Sequence, residues 1–83
     1  MSHSRFDDEE HIQTTADQRL VYMANQIARF FASQPRDKAV QGVAKHIRDF
    51  WDPRMRQRIR AHVADGGAGL DPLALEAIST LTA

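Results

Sequence analysis

Between Thr15 and Leu81, apolar residues recur every three or four positions, the spacing that gathers them on one face of an α-helix. Leu20, Met23, Ala24, Ile27, Phe30 and Phe31 make the first such run. It is expected to start on a Thr14 or Thr15 cap and to stop near Ser33, because Pro35 pushes the residue before it out of helical geometry. Val40, Val43, Ala44, Ile47, Phe50 and Trp51 make the second, with Asp37 as its expected cap. Asp52-Pro53 should open a third helix, since aspartate caps well and proline loses no hydrogen bond at the first helical position. Met55, Ile59 and Val63 form its stripe, and Gly66, Gly67 and Gly69 should end it as a flexible link. Asp71-Pro72 repeats the device ahead of Leu73, Ala74, Ala77, Ile78 and Leu81. Nothing alternates with the period of a strand. The expected fold class is all-α, a small bundle of three to four short helices.

Residues 1–14 lack this period. They carry Asp7, Asp8, Glu9 and Glu10 with isolated Phe6 and Ile12, and read as a disordered acidic head before a single helical domain over residues 15–83.

The widths of the apolar faces differ. At about 100° per residue the second run stays within an arc of about 140°, an ordinary core-facing stripe. The first spreads over about 200° once Val21, Ala28 and Ala32 are included, too wide for one neighbouring helix to cover. Either this helix is central in the bundle or part of it faces another chain. The doublets Phe30-Phe31 and Phe50-Trp51 are hard to hide in four short helices, which makes them candidates for a protein interface.

Length sharpens that point. A chain of 83 residues is one domain at most and buries only about 60% of the surface its unfolded form exposes. It has no cysteine, so neither a disulfide framework nor a thiolate zinc site reinforces it, and a partner is the remaining common remedy, another protein or a second copy. The formal net charge is zero, which argues against a free nucleic-acid binder. No apolar stretch is long enough to span a bilayer, and the polar, acidic start is unlike a secretory signal, so a cytoplasmic location is expected.

Charge is nonetheless concentrated. In FWDPRMRQRIR, residues 50–60, an arginine stands at every second position from Arg54 to Arg60. On a helix alternate positions lie about 200° apart, so Arg54 and Arg58 flank one side of the Met55–Ile59–Val63 stripe and Arg56 and Arg60 the other, with Gln57, Ala61 and Ala64 outermost. A groove-reading helix presents its cations together and outward. Here long side chains frame an apolar seam, an arrangement suited to covering apolar surface while the guanidinium groups meet carboxylates or backbone carbonyls.

Candidate chemistry is sparse. His3, His11, His46 and His62 show no metal-ligand spacing, and His46 reads as a half-buried histidine at the rim of the second stripe. There is no activated nucleophile, no carboxylate pair on an apolar face, and the GGAG of residues 66–69 follows a helix rather than a strand, so it reads as a linker instead of a phosphate cradle. The residues describe a non-enzymatic binding module without catalytic, cofactor-binding or metal-binding residues of its own.

Three stretches carry a more specific signal: RLVYMANQIARFF (residues 19–31), VAKHIRDFWDPRMR (43–56) and GGAGLDPLALEA (66–77). Together they resemble the delta-subunit family of NAD-dependent, molybdenum-containing formate dehydrogenases. The resemblance runs from about Leu20 to about Ala77 and leaves the acidic head outside. It implies a small accessory subunit in a complex whose catalytic subunit carries molybdopterin and iron–sulfur clusters and whose other subunits hold FMN and reduce NAD, the complex oxidising formate to carbon dioxide. It brings no catalytic residue to this chain. The expected partners are the catalytic and NAD-reducing subunits, with a homo-oligomer as an option for the isolated chain. Candidate interface residues are Phe50, Trp51, Arg54, Met55, Arg56 and Arg58 at the second corner, with Phe30 and Phe31 on the first helix. The rival readings are an assembly chaperone for the catalytic subunit and a small nucleic-acid-binding regulator.

Overall fold

The computed structural model describes the backbone of residues 2–81 and the side chains of residues 16–81. It contains four helices, α1 (Ser2–Phe31), α2 (Arg36–Phe50), α3 (Pro53–Ala64) and α4 (Pro72–Ser79), with no strand among the described residues. The all-α expectation holds. Because α1 extends back to Ser2, neither Thr14 nor Thr15 caps its start. The expectation of a disordered head over residues 1–14 lies outside the residues whose side chains are described.

Helix α1 packs on α2, α3 and α4, which is why its apolar arc is wide. Leu20, Ala24 and Ala28, four residues apart, are buried along its centre, and the two alanines let neighbouring backbones come close. Val21, Met23, Ile27 and Phe31 pack as half-buried flanks. Helices α2 and α4 also pack together, and Val43, Ile47, Ile59 and Ile78 are the largest fully enclosed side chains. One close approach explains a glycine inside α2. A methyl group added at Gly42 would sit 2.6 Å from the Phe31 ring.

The breaks between helices follow local chemistry. Asp52 caps α3 as expected, its carboxylate accepting the Met55 N–H at 2.8 Å. Helix α3 ends in a Schellman motif: Gly67 N–H donates to the His62 carbonyl (2.9 Å) and Gly66 N–H to that of Val63 (3.0 Å), with Gly66 at φ +115°. Two further expected caps are corrected. Pro35, not Asp37, stands at the α2 N-cap, and Asp37 lies in the first turn, where it still meets the positive end of the helix dipole. Asp71 stands at the α4 N-cap but its side chain makes no capping bond. The link before it is held from α1 instead: Asn25 donates to the Gly69 carbonyl (2.9 Å) and accepts the Asp71 N–H (2.8 Å). His62 donates to the Ala68 carbonyl at 2.8 Å. The link is therefore pinned at three positions, Ala68, Gly69 and Asp71, rather than free.

Candidate docking surface

Consecutive helical residues point about 100° apart, so a doublet cannot turn both rings into the same core. Each doublet here splits. Phe31 is half-buried against Gly42 while Phe30 is 78% exposed, the two rings meeting edge to face at 5.1 Å. Trp51 is core at 4% exposure while Phe50, the last residue of α2, is 74% exposed. Burial of Trp51 makes it part of the floor beneath the exposed rings.

Above that floor lies a groove of about 390 Å³ between α1 and the end of α2, lined by Met23, Ile27, Phe30 and Phe31 with Gln26, His46 and Trp51. His46, half-buried as expected, lies 4.8 Å from the outward Phe50 ring with the two planes tilted by 37°, and so extends the aromatic surface across α2. On the α1 side Tyr22 is 60% exposed and accepts a hydrogen bond from Gln26 at 3.0 Å. Phe30, Phe50 and Tyr22 are the exposed large hydrophobic residues of the described chain, and all three border this groove directly or through a neighbour that lines it. An aromatic floor with exposed rings on both banks and few polar groups is the composition of an interface centre.

The arginine row resolves into separate tasks. Arg56 turns back on the corner, its guanidinium donating to the carbonyls of Arg48 (3.3 Å) and Trp51. Those carbonyls end α2 and have no helical partner, so Arg56 supplies a C-terminal cap from the next helix. Arg58 ties α3 to α1 through Asp17 at 2.9 Å. Both sides of that bridge are about half exposed, so its contribution is small. Arg54 is exposed, with no hydrogen-bonding partner among the described residues, and Met55 beside it is half-buried against the core. Lys45 and Asp49 pair on the exposed side of α2 at 2.6 Å, and the Lys45 hydrogen bond holds the Asp49 carboxyl below its usual value. Among the described residues no three His, Asp or Glu side chains gather into a metal-holding group, and no helix is long and apolar enough to cross a membrane.

The family model of the NADH-dependent formate dehydrogenase delta subunit, FdsD, matches residues 19–78, which include every residue of the groove and the Arg56-clamped corner. The chain belongs to this delta-subunit family. Its matched span opens at Arg19, one turn before the groove, and leaves the acidic head outside, as the sequence resemblance did. No curated protein and no solved structure matches the chain. Membership makes this chain a delta subunit in relation to an NAD-dependent formate dehydrogenase.

Sequence reasoning singled out the aromatic doublets and the corner but missed Gln26, Tyr22, Met23 and Ile27 as members of one surface with them. The signal was present: Phe30 and Met23 lie on the edge of the over-wide α1 arc, with Ile27 next inside them. Asn25 was also missed. A lone amide next to a helical apolar stripe was the clue, but its partners lie 44 and 46 residues away and no local pattern reveals them.

Proposed function

We propose that the chain is a non-catalytic accessory subunit that docks on the catalytic subunit of an NAD-dependent formate dehydrogenase and thereby supports its assembly or stability, in the cytoplasm. The observation that carries this reading is the aromatic groove between α1 and the end of α2, with Phe30 and Phe50 left 78% and 74% exposed. Each ring covers roughly 150–250 Å² when buried, so at about 25 cal/mol per Å² two such rings left in water forgo several kcal/mol that a partner surface would recover. The chain holds no cysteine thiolates to ligate an iron–sulfur cluster, so a cysteine-ligated cluster of the complex belongs on its other subunits.

The assignment is tested by co-expressing the chain with the formate dehydrogenase subunits and purifying on a tag carried by the catalytic subunit. The expected result is a constant, stoichiometric amount of the chain on the mature, cofactor-loaded complex. Recovery only on catalytic subunit that lacks its cofactors would replace this reading with an assembly chaperone, and no recovery at all would refute docking.

A further inference from the structure

The groove fits one kind of occupant better than others. Its walls are side chains of two helices whose backbone groups are already paired within α1 and α2. An extended segment laid there would bring N–H and C=O groups into an apolar surface that offers them no partners, at a cost per group comparable to a lost hydrogen bond. A helix satisfies its own backbone and needs only side-chain contacts. The α1 bank presents Met23, Ile27 and Phe30 at spacings of four and three, the ridge pattern that accepts a neighbouring helix. The exposed parts of Phe30, Phe50 and Tyr22 together amount to roughly 400 Å², against about 800 Å² per partner for a standard interface. That suits the apolar centre of a single docked helix with a polar rim around it.

Charge selects the rim. The carboxylates near the corner are engaged within the chain: Asp17 by Arg58, Asp49 by Lys45 and Asp52 by the Met55 N–H. Several cations are not, Arg19, Arg48 and Arg54 among them. Arg19 lies on the Met23 face of α1 one turn towards its N-terminus, and Arg54 follows the buried Trp51 at the corner; both are exposed without a partner among the described residues. With Asp49 offset by Lys45, the Trp51 end of the groove carries Arg48, Arg54 and Arg56 against Asp52 and is electropositive. A second copy of this chain paired groove to groove would meet it with an equally basic rim.

We infer that the groove between α1 and α2 receives an amphipathic helix of the partner subunit, large apolar side chains lying between Phe30 and Phe50 and acidic residues flanking them opposite Arg19 and Arg54. This rests on the docking reading above and names the segment that reading leaves open.

The test places a photo-activatable benzoylphenylalanine at position 30 or 50 in the assembled complex, with a control at Ser79 on the exposed side of α4. Cross-linked peptides from both groove positions are expected to converge on one partner segment that has apolar residues three and four apart and carboxylates beside them. The control should not reach that segment. In parallel, Arg19→Glu and Arg54→Glu should each lower retention on the complex at least tenfold, an effect that shrinks as salt rises. Cross-links to a second copy of this chain, to a basic or non-helical segment, or to none while the chain still co-purifies, would overturn the inference yet leave the docking reading intact. So would unchanged retention of both charge reversals. Failure of the unmodified chain to co-purify would instead strike the docking reading itself.

Discussion

Replacing Trp51 by alanine separates the two halves of the Phe50-Trp51 doublet. Trp51 is 4% exposed, so folding removes nearly all of its surface from water. At roughly 150–250 Å² for a large aromatic and about 25 cal/mol per Å², the transfer contribution is about 4–6 kcal/mol as an upper bound. Measured truncations of buried phenylalanine and tryptophan cost about 3–5 kcal/mol. A domain of this length has a total stability of only about 4–12 kcal/mol. The substitution should therefore remove a large part of the stability, and at about 4–8 °C per kcal/mol it should lower the melting temperature by at least ~12 °C. It also loosens the floor of the groove and the corner that Arg56 clamps. Phe50→Ala is the internal control. With Phe50 74% exposed, little surface returns to water and the change should stay within about 0.5 kcal/mol. Thermal melts of the isolated chain followed by circular dichroism at 222 nm give the comparison directly. Equal melting temperatures for Trp51→Ala and the unaltered chain would refute the placement of Trp51 in the core.

Asp52→Ala should cost about 0.5–2 kcal/mol through loss of the α3 cap, read from chemical denaturation, and an unchanged midpoint would mean the cap bond to Met55 contributes nothing. Gly42→Ala should fail to stabilise α2 despite a helix-propensity gain of about 1 kcal/mol, because the added carbon meets the Phe31 ring at 2.6 Å; a rise in melting temperature would contradict that packing. Asn25→Ala removes two hydrogen bonds to the glycine link and should cost about 1–3 kcal/mol, with faster amide exchange at Asp71 as its local signature. The Asp49 carboxyl is held below its usual value of 3.8 by Lys45, so the stability it adds is present above that value and is lost as pH falls through the lower folded value; a carbon-detected NMR titration should show the low midpoint, and Lys45→Met should raise it.

The helices were legible because each buries a face and the residues that do so recur at helical spacing. Legible too was the Asp52-Pro53 corner, where cap and proline act within one turn. The failures have two physical sources. Pro35 displaced Asp37 as a cap because a proline with extended ψ already sets the chain direction one residue before α2. Asn25, Arg56 and Gly42 depend on which elements meet in space. Asn25 reaches across to the link before α4, Arg56 folds back onto the carbonyls of the preceding helix, and Gly42 is shaped by a ring on α1. For the docking surface, the sequence displayed the aromatic doublets and the over-wide α1 arc, but which ring of each doublet turns outward depends on where the core lies. Once α1 packs on three neighbours, Phe31 and Trp51 turn in and Phe30 and Phe50 remain outside.

The most direct test of the account is retention of a Phe30→Asp/Phe50→Asp double variant on the formate dehydrogenase complex. Both side chains are exposed in the isolated chain, so the variant should fold with an unchanged circular dichroism spectrum and melting temperature. Placing two carboxylates in an interface centre should abolish its recovery with a tagged catalytic subunit. Recovery of the folded double variant in the same stoichiometric amount as the unaltered chain would contradict the claim that this groove is the docking surface.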